Sequence, residues 1–186
     1  MARQLLFVQG GGDGVHDEWD GKLVGSLSRA LGPDYEVRYP RMPDEADPDF
    51  AAWSGVLRDE LARLEDGAIV VGHSVGGTIL IDTLAGQPPG LALGAIFLLA
   101  APFVGEGGWP SEEGRSQEGI GEKLPAGVPI FLYHGLADTE VPPMHAGLYA
   151  RAIPHAQLCR LPGRDHQLND DLREIAAAIK ALGAAA

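Results

Sequence analysis

Short apolar runs recur along this chain, and each is followed by a turn and then by a helical pattern. Leu5–Val8 comes first and ends in Gly10-Gly11-Gly12. Tyr35–Tyr39 alternates like a strand and stops at Pro40, and Ala68–Val71, Leu93–Leu99, Val128–Tyr133 and Ala156–Leu161 follow. Between them, Trp19, Leu23, Val24, Leu27 and Leu31 recur at helical spacing up to Gly32-Pro33, and Phe50, Trp53, Leu57, Leu61 and Leu64 share one face. Gly76–Ala85 and Met144–Ile153 read as helices, and Leu168, Leu172, Ile175, Ala176 and Ile179 as a closing one before a low-complexity tail at 183–186. This alternation predicts an α/β fold, a parallel sheet covered by helices on both faces. In open sheets of that kind ligands bind beyond the carboxyl ends of the strands, so chemistry is expected just after each apolar run.

The 186 residues suit one domain, 1–186, of a size that buries about 70% of its unfolded surface. Fourteen basic against 26 acidic side chains leave a net charge of −12, which argues against nucleic acid and anionic membrane as partners. No stretch approaches the roughly 20 apolar residues of a membrane span. Met1–Val8 reads as a buried strand rather than a signal peptide. The single cysteine, Cys159, excludes an internal disulfide and a zinc site of several thiolates, and fits a cytoplasmic protein. Residues 102–125, rich in Gly, Glu and Ser with few apolar anchors, read as a loop or rudimentary lid.

Four strand ends carry candidate chemistry. Gln9-Gly10-Gly11-Gly12-Asp13-Gly14 follows the first run, and Gly72-His73-Ser74-Val75-Gly76-Gly77 the third. His134-Gly135-Leu136-Ala137-Asp138 follows the fifth, and Gly163-Arg164-Asp165-His166 the last. Gly72–Gly76 fits G-x-S-x-G, a sharp strand-to-helix turn that lifts a serine hydroxyl clear of the sheet. The glycines suit such a turn because the chain packs closely on either side of the serine. A glycine-rich turn without chemistry is the bland alternative.

Taken together, the Gly72–Gly77, His134–Pro142 and Gly163–His166 stretches resemble the α/β-hydrolase fold superfamily, in particular its compact members. The resemblance covers essentially the whole chain and implies a six-stranded sheet in the order 2-1-3-4-5-6. It implies Ser74 as nucleophile, His166 as base and Asp138 as acid, with the backbone N–H groups of Gly11 (or Gly12) and Val75 as an oxyanion hole. Members of the family often have His-Gly where this chain has Gln9-Gly10. The residue types agree with that chemistry, since a serine is a poor nucleophile until an imidazole, held in one tautomer by a carboxylate, takes its proton.

Each role has rivals. Of the other histidines, His73 packs below the elbow, His134 bonds backbone, His145 and His155 read as surface residues, and His16 lines the pocket. Glu106, beyond the fourth strand, competes with Asp138, and Asp165 reads as a turn residue. The glycine loop lacks G-x-G-x-x-G, so a dinucleotide site is disfavoured. Asp13, His16, Asp17 and Glu18 read as helix-capping residues rather than metal ligands. Trp19 and Trp109 are candidate pocket walls. The expected function is hydrolysis of a small acyl ester with neither metal nor cofactor. A thioesterase, amidase or peptidase, a cofactor-free lyase or transferase, and a non-catalytic binding protein on the same scaffold are the alternatives.

Overall fold

A computed structural model describes residues 2–110 and 115–184. Six strands form one parallel sheet in the order β2-β1-β3-β4-β5-β6, as the resemblance implies. They are β1 (Arg3–Val8), β2 (Tyr35–Arg38), β3 (Ile69–His73), β4 (Ala95–Leu99), β5 (Ile130–Gly135) and β6 (Gln157–Leu161). The helices are α1 (Asp20–Leu31), α2 (Phe50–Leu61), α3 (Ser74–Gly86), α4 (Met144–Ala152) and α5 (Arg173–Ala184).

Strand side chains alternate between faces, so each strand feeds two cores. Leu5, Phe7, Ile69, Val71 and Phe97 pack with Leu23, Leu27 and Leu31 of α1 and Ile175 and Ile179 of α5. Leu6, Val8, Val70, Ile96 and Leu98 pack with Trp53 and Leu57 of α2, Leu80 of α3 and Tyr149 of α4. The central strands β3 and β4 are buried along their whole length, which explains why they read as unbroken apolar runs. Asp49 caps α2 by accepting the N–H of Ala52 at 2.7 Å, and the fully buried Trp53 donates its indole N–H to Pro43 O at 2.7 Å. That bond draws the Pro/Asp-rich 41–49 loop over the carboxyl edge of the sheet.

The 102–125 stretch is better anchored than its composition suggests. Phe103, Ile120 and Leu124 are buried in the core, Gln117 is fully buried, and Ile120–Lys123 forms a 3-10 turn. Gln117 accepts the N–H of Val104 at 2.9 Å and donates to Asp82 at 3.1 Å, tying the stretch to α3. Isolated apolar residues without a period gave no sign of these anchors. Residues 111–114 of the expected lid, and 185–186 of the expected tail, lie outside the described residues.

Candidate active site

The turn between β3 and α3 sets the geometry. Ser74 has φ of 51°, a left-handed backbone that holds its hydroxyl above the sheet. Close packing enforces the flanking glycines. A Cβ on Gly76 would lie 1.9 Å from the carbonyl oxygen of Gln9, and one on Gly72 would lie 2.5 Å from the Cα of Gly77. Helix α3 therefore begins at Ser74 itself, with its unpaired N–H groups facing the glycine loop after β1.

Ser74, His166 and Asp138, 92 and 28 residues apart in consecutive pairs, meet at this edge. The Ser74 hydroxyl lies 3.0 Å from Nε2 of His166, and Nδ1 of His166 lies 2.8 Å from Oδ2 of Asp138. Asp138 is buried beneath the ring and fixed through its other oxygen, which accepts the N–H groups of Glu140 and Val141 at 2.9 Å each. His134 approaches Oδ2 at 3.1 Å while donating to Val141 O at 2.9 Å. Burial alone would raise the Asp138 carboxyl, but the bonds from His134, His166 and Val141 overcome it and hold the group well below the usual carboxylate range. A second carboxylate, the exposed Glu140, lies 3.8 Å from Nε2 of His166.

Structures already known share this arrangement of strands and helices. The esterase domain of a Rhodothermus marinus protein is 22% identical with a TM-score of 0.68, over 96% of this chain and 85% of that one. CarC, a serine hydrolase involved in carbazole degradation, is 16% identical with a TM-score of 0.73, over 100% of this chain and 92% of its own. The ydeN gene product of B. subtilis is 17% identical with a TM-score of 0.73, over 98% of this chain and 100% of its own. The chain has the α/β-hydrolase fold. No protein-family model matches the sequence, and no curated protein matches it.

On this fold the glycine loop faces the elbow, and its three amides have different fates. Gly10 donates to Asp20 at 2.7 Å, and Gly12 donates to the carbonyl of Glu45 at 2.6 Å. The Gly11 N–H has no partner among the described residues, whereas that of Gly12 is taken up by the Glu45 carbonyl. A Cβ on Gly11 would lie 2.8 Å from Val75, which measures how closely the loop approaches the start of α3. Gln9 is fully buried. It donates to the Glu45 carboxylate at 2.6 Å and accepts the Met42 N–H at 3.0 Å. It thus staples the loop to the 41–49 segment.

The cleft over Ser74 has a volume of about 740 Å³. Trp19 and Trp109 stand on its walls, 47% and 41% exposed, and Asp13, Glu140 and Asp165 supply its carboxylates. Its described lining includes no lysine or arginine. Asp165 makes the expected turn, exchanging bonds of 2.8 and 3.0 Å with Asn169. Glu106 lies instead in a separate cavity with Glu118, Leu148 and Arg151.

Three expectations are corrected. His16 is not on the cleft wall: its ring stacks on Tyr39 with centroids 4.2 Å apart, and Nδ1 meets Asp17 at 2.8 Å. Asp17 makes no capping bond and pairs with Arg41 at 2.5 Å; it stands with Glu18 in the first turn of the Val15–Trp19 π-turn, where acids complement the dipole, and Gly14 occupies the N-terminal position. His145 is not a surface residue: it is 3% exposed and accepts the N–H of Phe103 at 2.9 Å through Nδ1. Burial and the nearby His134 lower its basicity, consistent with a neutral ring accepting that bond. The residue that sequence reasoning missed is Asp20, fully buried below the elbow. Its signal was its register, since an acid in step with Leu23, Leu27 and Leu31 must face the core and needs a partner there.

Proposed function

We propose that the chain is a serine hydrolase that cleaves small carboxylic esters through an acyl-enzyme on Ser74. The observation that carries the reading is the continuous relay from the Ser74 hydroxyl through His166 to the buried Asp138. With Nδ1–H donated to Asp138, Nε2 of His166 presents its lone pair to the Ser74 O–H. Ser74 Oγ attacks the ester carbonyl carbon as its proton passes to Nε2. The carbonyl π-electrons move to oxygen, and that oxyanion is received by the N–H groups of Gly11 and Val75 at the positive end of α3. Collapse expels the alkoxide, which takes the proton from His166 and leaves as the alcohol. Water then repeats the sequence on the acyl-enzyme, its proton passing through His166 back to Ser74, and the carboxylic acid departs.

The reading calls for neither metal nor cofactor, and the half-buried free thiol of Cys159 suits a reducing cytoplasm. Trp109 and Trp19 provide apolar walls for an acyl chain or an aromatic leaving group. The test is a panel of p-nitrophenyl esters of increasing acyl length, beside thioesters and aminoacyl amides. Short esters should be turned over best, and Ser74→Ala should abolish that turnover, on the order of a million-fold, without loss of fold. Preference for thioesters or amides would move the chain to another acyl-transfer class. Activity surviving in Ser74→Ala would remove the reading.

A further inference from the structure

A second acid–histidine pair lies directly beneath the elbow, and the relay does not use it. His73, one residue before Ser74, is 1% exposed, and Asp20, the first residue of α1, is fully buried. His73 Nδ1 lies 3.0 Å from Oδ2 of Asp20, and its Nε2 lies 3.0 Å from the main-chain oxygen of His166. The same Asp20 oxygen accepts the N–H of Gly10 at 2.7 Å. The pair therefore touches the elbow, the glycine loop and the segment bearing His166.

Counting protons decides the charge of His73. A peptide carbonyl can only accept, so Nε2 must carry a hydrogen. A neutral ring would then turn the bare lone pair of Nδ1 toward a carboxylate oxygen, acceptor against acceptor. One further proton must lie in that contact, and Oδ2, already accepting from Gly10, is satisfied as a carboxylate oxygen taking a second donor. His166 differs only in what its far nitrogen meets: a hydroxyl can donate, so a neutral ring suffices there. Two similar acid–histidine contacts thus hold opposite protonation states.

We infer that His73 is held as an imidazolium, ion-paired to Asp20, and that the pair is a positioning unit for the glycine loop and the His166 segment. The positioning role rests on the hydrolase reading; the proton count does not. The electrostatics agree. Burial opposes both charges, but attraction between the partners, with the bonds from Gly10 and to His166, lowers the Asp20 carboxyl and raises the His73 imidazole. The ionisable groups that face His73 are Asp20 from α1, and Asp138 and His166 from the turns after β5 and β6. The His73 and His166 rings are 5.0 Å apart, so the pair sits directly against the imidazole of the relay.

The test is histidine 15N NMR on the intact protein, with His73 assigned by the signal lost in His73→Gln. In the wild type at neutral pH both ring nitrogens of His73 should be protonated. A ring protonated on one nitrogen there overturns the inference. Asp20→Asn cannot both accept from Gly10 and donate to a neutral His73 through one atom. Its kcat should fall about tenfold or more with KM within about twofold, and unchanged kcat overturns the positioning role. A wild type that hydrolyses no ester removes the hydrolase reading and leaves the proton count standing, whereas a singly protonated His73 at neutral pH in an active enzyme removes this inference alone. Should either variant fail to fold, through-bond assignment of His73 in the wild type still decides the proton count.

Discussion

The role proposed for Asp138 rests on the turn that follows β5, where its carboxylate takes two backbone N–H bonds on one oxygen and His166 on the other. Asp138→Asn should keep the fold but cut turnover by up to about ten-thousand-fold, because the amide favours the wrong histidine tautomer. Glu106→Gln should be nearly neutral, since Glu106 lines a different cavity. Steady-state kinetics on the two purified variants checks both outcomes, and the reverse pattern would move the acid to the segment after β4. Ser74, Asp138 and His166 were legible because each follows a strand, and parallel strands deliver their carboxyl ends to one edge. Asp20 and His145 were not. Whether a polar side chain is buried depends on a partner from a distant segment, and those partners are Gly10 with His73 for one and Phe103 for the other. The His16 error has the same origin: local sequence placed it beside the glycines, but the ring of Tyr39 claimed it.

At the scale of elements, the strands were legible from their apolar runs, and their ends were not. Strand β3 continues through Gly72 and His73, paired with Leu98 and Leu99, and β5 continues to Gly135, paired with Leu161. Ladder hydrogen bonds are backbone bonds, so glycine and histidine extend a strand wherever a neighbour is in register. The glycines of α2 and α3 look alike in sequence but differ in their surroundings. Gly76→Ala should destabilise by about 1–3 kcal/mol or more, because the colliding atom is the backbone oxygen of Gln9. Gly55→Ala, with nothing within 4 Å of the added Cβ, should stabilise α2 by about 0.5–1 kcal/mol. Urea unfolding of the pair checks both signs. Gly76→Ala should also slow hydrolysis, since Gln9 anchors the glycine loop.

Over the whole molecule, the charge of −12 and the carboxylates at the cleft act together. Esters with an anionic acyl chain should show kcat/KM roughly three- to tenfold below neutral or cationic ones of equal size at low salt, a gap that narrows as salt screens it. Stability and activity should part company with pH. Asp20 and Asp138 are lowered in the fold, so their contribution is present above the unfolded carboxyl value of about 3.9 and is lost as pH falls through their folded values. His73 is raised, so its contribution is complete below the unfolded value of about 6.5 and is lost as pH rises through its folded value. Calorimetry should therefore find Tm declining above about pH 6.5, and His73→Gln should flatten the decline.

A fluorophosphonate tests whether Ser74 is the nucleophile of an acyl-transfer site without knowledge of the natural substrate. The reagent should add one phosphonyl group per chain, placed on Ser74 by peptide mass spectrometry, and the adduct should be absent in Ser74→Ala. Unmodified wild-type protein, or an adduct that persists when Ser74 is removed, would exclude Ser74 as the nucleophile.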